Sequence, residues 1–139
     1  ELIPAFNSLS KIIASKRIQK NKEIEVKIGS TGAAKILFVI RPKALIPWDK
    51  KIRKKFNFKE SGESYVEFLS QIKSILENLE IECKNFGFSL DDLPKKIGRP
   101  NSTVPKLIDE YYWVMITNPN SKLDPEIFRR WIQWSGIKF

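Results

Sequence analysis

The stretch that decides the fold runs from Ile28 to Phe58 and reads IGSTGAAKILFVIRPKALIPWDKKIRKKFNF. Its GSTG segment, residues 29–32, predicts a glycine-rich turn, and AAKILFVI after it predicts a buried helix with almost no polar face. The Arg-Pro pair at 41–42 predicts the end of that helix. Asp49 stands where an N-cap would open the next helix, KKIRKKF, so a turn, an apolar helix and a strongly basic helix follow one another closely.

The cationic side chains are concentrated in the first half of the chain. Residues 11–55 hold 14 Lys and Arg against three acidic residues, whereas residues 56–139 hold 11 cations and 12 acids. Clustered cations beside a glycine-rich turn are typical of proteins that bind a phosphate backbone. The alternatives are a charged face that keeps the protein in solution, or a surface for an acidic protein or an anionic membrane.

Length and composition favour one ordinary domain. The 139 residues are 42% hydrophobic, and we expect a single domain over 1–139 with a weak boundary near 87–102, where two Pro and two Gly occur. Cys83 is the only cysteine and the chain has no His, which excludes internal disulfides, Cys/His zinc sites and His-based catalysis. We therefore expect no metal and no other cofactor.

The segments around the central stretch predict further helices and one strand. Leu2, Phe6 and Leu9 share a helical face, and we expect one helix over residues 2–20 that stops at Asn21. EIEVKI, residues 23–28, alternates as a short extended segment does. Ser64 and Glu67 have the spacing of a capping box before a long apolar stripe, so a helix is predicted from Ser64 onward.

The last third of the chain continues the helical pattern. We expect a short helical turn over 93–97, a helix entered through Pro105 that ends in a turn at 118–120, and a last helix capped by Asp124. The predicted fold is mainly α: a single orthogonal helical domain of about six helices with a short extended segment at 23–28. The longest apolar run is far shorter than the roughly 20 residues that cross a bilayer, and no leader pattern opens the sequence, so we expect a cytoplasmic protein without membrane contact.

The glycine-rich turn is the first candidate site. Backbone N–H groups in such a turn, followed by a helix N-terminus, suit a phosphate group. GSTG lacks the ending of a Walker loop and the three glycines of a dinucleotide fingerprint, so nucleotide hydrolysis and NAD binding are not indicated. The predicted nucleic-acid contacts are Gly29, Ser30, Thr31, Gly32, Lys35, Lys50, Lys51, Arg53 and Lys54. The alternatives are that the glycines only turn the chain and that the lysines are a solvated face.

The segment GSTGAAKILFVIRPKALIPWDKKI resembles the helix-hairpin-helix superfamily of DNA glycosylases. In that family a Gly-rich hairpin precedes a helix that starts with small residues, and an extended segment leads to a catalytic Asp at the start of the next helix. The resemblance implies DNA binding through hairpin N–H groups and places Asp49 at the catalytic position. The family's lysine nucleophile would fall near Thr31 or Gly32, and the nearest cation, Lys35, is the second candidate catalytic residue. IGSTG also resembles the loop of KH domains, which bind single strands.

Two classes of function stay open from the sequence. The first is a DNA-binding domain, with DNA favoured over RNA, that contacts the phosphate backbone and carries out base excision through Asp49. The second is a non-enzymatic structural or protein-interaction domain, in which the basic face meets an acidic protein partner. An N-cap role alone would also account for Asp49, because a carboxylate is stabilised at the start of any helix.

Overall fold

A computed structural model describes residues 1–118 and confirms a mainly α fold with one two-stranded sheet. The elements are α1 (Leu2–Lys11), β1 (Ile13–Gln19), β2 (Lys22–Lys27), α2 (Gly29–Ile40), α3 (Lys50–Lys55), α4 (Gly62–Asn85), a 3₁₀ turn (Leu90–Asp92), α5 (Leu93–Lys96), α6 (Val104–Tyr112) and a π-helical turn (Trp113–Thr117). The turn expected at 118–120 and the helix expected after Asp124 lie, except for Asn118, outside the described residues.

The prediction of one helix over residues 2–20 is wrong beyond Lys11. Residues 13–19 form β1, which pairs antiparallel with β2, and Ile28 N–H donates to the Ile12 carbonyl (2.8 Å) at the base of the hairpin. The physical reason is that residues 22–27 are extended and cannot form backbone hydrogen bonds among themselves, and residues 13–19 supply the antiparallel ladder across a two-residue turn. Lys20 and Asn21 form the turn with φ of 50° and 59°. Left-handed backbone costs a Lys about 1 kcal/mol.

Two details of α2 differ from expectation. The GSTG segment is the first turn of α2 rather than a turn before it, because Gly29 has φ +69° and lets the chain pass from β2 directly into the helix. The helix is not buried all round: Ser30, Ala33, Ala34 and Leu37 face the core, whereas Val39 and Ile40 at its end are 75% and 62% exposed. The helix does end at Ile40, before Arg41-Pro42, as predicted.

The core is built around Trp48, which is 1% exposed. Its ring lies edge-on to Tyr65 (5.2 Å between centroids) and beside Phe68 (5.5 Å), while Phe6 of α1 stacks on Tyr65 (4.8 Å). The Tyr65 hydroxyl donates to the Ile46 carbonyl (2.8 Å), and burial raises the pKa of Tyr65 well above its ordinary value, which keeps that proton in place. Helices α1 and α4 and the segment before α3 therefore share one aromatic cluster.

Helix α4 starts earlier than predicted. Ser61 is the N-cap, since its Oγ accepts from Ser64 N–H (3.3 Å), and the expected cap Ser64 lies inside the helix. The shift follows from packing against α1: Gly62 N–H donates to Asn7 Oδ1 (2.8 Å), and a Cβ on Gly62 would lie 2.7 Å from the Ile3 carbonyl oxygen. Only a residue without a side chain allows this approach. The predicted short helix near 93–97 is present as α5, and α6 begins at Val104 beside Pro105.

We expect Gly62→Ala to lower the free energy of unfolding by about 1–3 kcal/mol, because the added methyl group meets rigid backbone of α1. Helix propensity alone predicts the opposite sign, since Ala is favoured over Gly by about 1 kcal/mol. Urea denaturation measures the difference. The control is Ser70→Ala on the exposed side of α4, which should change stability by less than about 0.5 kcal/mol. A stabilised Gly62→Ala variant would contradict the close approach of α1 and α4.

Candidate nucleic-acid interface

The start of α2 and the basic helix α3 lie against each other. The Trp48 indole Nε1–H donates to the Ser30 carbonyl (3.2 Å), and Arg53 Nη1 donates to Thr31 Oγ1 (2.8 Å). Both bonds join GSTG to the segment that leads into and forms α3. Thr31 and Arg53 are 22 residues apart in the sequence, and the fold brings them together on one side of the molecule.

The predicted residues of α2 differ in what they offer a ligand. Ser30 is buried, the Thr31 hydroxyl is held by Arg53, and Gly29 and Gly32 are half-buried. Lys35 is exposed. Ile28 stands at the N-cap and supplies no side-chain hydrogen bond to the first turn. The groups available for an anion here are therefore the backbone N–H groups of the first turn together with the Lys35 ammonium.

Arg53 has a structural role that the sequence prediction missed. It is 4% exposed, and its guanidinium donates to Thr31, pairs with Glu60 (Nη2 to Oε1, 2.5 Å) and lies over the Trp48 ring at 5.6 Å. Its charge is thus directed inward. The sequence did carry a signal of this role, because Arg53 is the only Arg among the lysines of KKIRKK and follows the apolar Ile52. A guanidinium is more weakly hydrated than an ammonium and better suited to hydrogen bonds in the interior.

The lysines of α3 make up the outward face of the helix. Lys50, Lys51, Lys54 and Lys55 are exposed. Lys50 and Lys54 are four residues apart and so lie on one side of the helix. Lys51 Nζ donates to the Thr117 carbonyl (2.8 Å) and ties α3 to the π-helical turn. Lys50, Lys54 and Lys55 form no ion pair with an acidic residue of the described part of the chain.

Asp49 caps α3 as predicted. Its Oδ1 accepts from Ile52 N–H (2.7 Å) and its Oδ2 accepts from the Thr117 hydroxyl (2.7 Å), so both carboxylate oxygens have protein donors. The side chain is half-buried.

Two surface clefts of about 690 and 660 Å³ lie away from the two candidate catalytic residues. The first is lined by residues between 56 and 71, and the second by Phe38, Pro42 and residues between 98 and 106. Neither cleft is lined by Asp49 or Lys35.

Most of the uncompensated positive charge lies in the first half of the chain. Of the 14 cations in residues 11–55, all but Arg53 are exposed. Only Lys16 and Arg53 among them form ion pairs with described residues, with Glu23 (2.7 Å) and Glu60. Of the seven cations in residues 56–118, four pair with a described acidic side chain, namely Lys73, Lys84, Arg99 and Lys106, and Lys59, Lys95 and Lys96 do not. The first half of the protein therefore presents a positive field that the described acids do not neutralise.

A second basic element was missed because residues 13–19 were predicted to be helical. The β1–β2 hairpin carries exposed Lys16, Arg17, Lys20, Lys22 and Lys27 immediately before α2. The sequence signal for it was weak, since Lys20-Asn21 lacks the glycine that marks most two-residue hairpin turns.

Within residues 1–118, no group of His, Cys, Asp or Glu is arranged to hold a metal ion. In the same range, no helix combines the length and apolarity needed to cross a membrane. No protein-family model, curated protein or solved structure matches the chain.

We expect Arg53→Ala to lower the free energy of unfolding by about 2 kcal/mol, because it removes the Thr31 hydrogen bond and the packing on Trp48. Lys54→Ala, the next residue and exposed, is the control and should cost less than about 0.5 kcal/mol. Urea denaturation of both variants gives the comparison. Equal stabilities would mean that the Arg53 guanidinium does not hold α3 to α2.

Proposed function

We propose that this protein binds DNA through its phosphate backbone, using the first turn of α2 and the outward lysines of α3. The observation that carries the proposal is the Arg53–Thr31 hydrogen bond (2.8 Å), because it keeps the N-terminus of α2 beside the basic helix. Neither element alone would be a convincing anion site. Together they offer backbone N–H donors and mobile ammonium groups to one ligand.

The electrostatic support for DNA binding comes from the cations of residues 11–55, of which only Lys16 and Arg53 form ion pairs with described acids. A polyanion that contacts exposed lysines releases its condensed counterions, which favours binding most strongly where the lysines are not already paired with acids. Lys50 and Lys54 meet that condition within the described part of the chain, whereas Lys73 and Lys84 of α4 do not. Because these contacts are to phosphates, the binding contributed by α2 and α3 is expected to depend little on base sequence.

The role of Arg53 follows from its burial. Arg53 holds α3 against α2 and does not itself contact the DNA, because its guanidinium is satisfied by Thr31 and Glu60. The lysines beside it are free to adapt to phosphates of different spacing, which is what sequence-independent binding requires. A surface for an acidic protein is the competing explanation, and the salt response separates the two because counterion release is larger from a nucleic acid.

Base excision through Asp49 is the finer part of the proposal and is supported by the resemblance of residues 29–53 to helix-hairpin-helix glycosylases. Asp49 stands at the start of α3, and two hydrogen bonds fix its carboxylate. A fixed carboxylate beside bound DNA would stabilise the positive charge that develops on the sugar as the base leaves, or activate the attacking nucleophile. Lys35, exposed on α2, would then contact the backbone.

We expect Lys50→Ala with Lys54→Ala to lower affinity for a duplex about tenfold and to reduce the slope of log K against log salt by about 2, because each lysine neutralises one phosphate. Fluorescence anisotropy across a salt series measures both quantities. The matched control is Lys73→Ala with Lys84→Ala, which removes two cations from α4. Equal losses of affinity in the two double variants would show a general charge effect and would contradict a site on α3.

Asp49→Asn and Asp49→Ala separate capping from catalysis. Asn is as good an N-cap as Asp, so Asp49→Asn should unfold like the parent, whereas Asp49→Ala should lose about 1 kcal/mol. We expect the parent to release bases from duplexes that carry uracil, hypoxanthine or 8-oxoguanine, and Asp49→Asn to bind these duplexes without releasing the base. Release that is unchanged in Asp49→Asn, or absent in the parent, would leave Asp49 as a cap only.

A further inference from the structure

We propose that the β1–β2 hairpin is a second DNA contact, which lies in a groove of the duplex with Arg17, Gln19 and Lys22 facing the bases and Lys20 at its tip. This inference rests on the proposed function and adds to it a preference for double-stranded DNA. It concerns an element that the resemblance and the basic helix do not involve.

The hairpin extends from the described body of the protein. All seven residues of β1 are exposed, and the sheet consists of β1 and β2 alone within residues 1–118. In β2, Ile24 and Val26 are half-buried and the other four residues are exposed, and none of the hairpin residues belongs to the hydrophobic core cluster. A two-stranded antiparallel ribbon has the width that the major groove of B-form DNA admits.

The two faces of the hairpin differ in net charge. The register pairs Gln19 with Lys22 and Arg17 with Ile24, and alternation along a strand places these side chains on one face. The other face carries Lys16, Ile18, Glu23, Glu25 and Lys27, where Lys16 is neutralised by Glu23 (2.7 Å). The first face thus carries two cations and no acid, whereas the two lysines and two glutamates of the opposite face cancel, so a polyanion is attracted to the first face.

The side chains on the cationic face suit base edges as well as phosphates. Arg17 and Gln19 are neighbours on that face, with Arg17 Nη2 at 3.5 Å from Gln19 Oε1. Arg reads guanine and Gln reads adenine through paired hydrogen bonds in the major groove, and Lys22 across the strand can reach either a base or a phosphate. No described side chain other than Gln19 competes for the Arg17 guanidinium.

The backbone of the Lys20-Asn21 turn separately indicates a binding role for Lys20. Lys20 has φ +50°, a conformation that Asn or Gly adopts more readily than Lys. The chain therefore keeps a cation at the tip of the hairpin where the backbone favours another residue, and strained positions of this kind are concentrated at binding sites. Together with Lys22, it extends the positive face to the end of the ribbon.

The test compares two adjacent residues that point to opposite faces. Arg17→Ala and Lys16→Ala each remove one positive charge, so their long-range effects on a polyanion are equal. We expect Arg17→Ala to weaken binding to a duplex about tenfold and Lys16→Ala to weaken it less than about twofold. With a single strand of the same sequence, Arg17→Ala should weaken binding less than about threefold, because no groove is available. Anisotropy at about 100 mM salt gives all four values.

The outcomes separate this inference from the proposed function when Lys50→Ala with Lys54→Ala is measured alongside. If the α3 variant binds more weakly and Arg17→Ala does not, the hairpin is no DNA contact, and its open strand edges become the place to look for a protein partner. Equal weakening in Arg17→Ala and Lys16→Ala, or equal weakening on duplex and single strand, would overturn the groove placement. If every variant keeps the parental affinity, the proposed function fails as well.

Lys20→Asn checks the tip without disrupting the turn, because Asn adopts a positive φ readily. We expect it to weaken duplex binding about threefold or more while the unfolding midpoint stays at or above that of the parent. Parental affinity in this variant would exclude Lys20 from the interface.

Discussion

The structure depends on the contact between the start of α2 and the segment that enters α3. Trp48 is buried at the centre of the aromatic cluster and donates to the Ser30 carbonyl, and Arg53 reaches Thr31 from the next helix. Each hydrogen bond contributes about 1 kcal/mol or somewhat more, and the burial of the indole contributes several times that. Because the same residues belong to the core and to the candidate interface, the position of the basic helix is set by the packing of the protein.

This arrangement divides the charged residues of the central stretch between two roles. Arg53 and Asp49 are directed towards protein partners, Thr31 and Glu60 for the first and Ile52 and Thr117 for the second. The lysines of α3 are exposed, and apart from the Lys51 bond to Thr117 their ammonium groups form no hydrogen bond or ion pair with another side chain or carbonyl described in residues 1–118. An internal framework of directional hydrogen bonds therefore holds an outer layer of flexible cations. Such a layer suits a partner whose charges are regularly spaced but chemically uniform, as those of a nucleic-acid backbone are.

Local patterns in the sequence predicted the elements whose causes are local. Asp49 as a cap and the helix end before Arg41-Pro42 both follow from neighbouring residues. The errors arose at residues whose structure is determined by contacts with distant segments of the chain. Residues 13–19 have apolar spacing that fits a helix and become a strand because β2 needs a partner. Ser61 rather than Ser64 caps α4 because Gly62 packs on α1, and Arg53 turns inward because Thr31 and Trp48 lie beneath it. The candidate lysines were found, and the hairpin cations were missed along with their strand.

The measurement that tests the account most directly is a titration of the ¹⁵N-labelled protein with a duplex, followed by amide chemical shifts. The account predicts that the largest shifts fall in residues 29–32, in Lys50–Lys55 and in residues 17–22 of the β1–β2 hairpin, with α4 unaffected, and that they diminish as salt is raised. Shifts confined to α4 or α6, or none at low salt, would contradict it, because the joined surface of α2 and α3 would then not be where DNA binds.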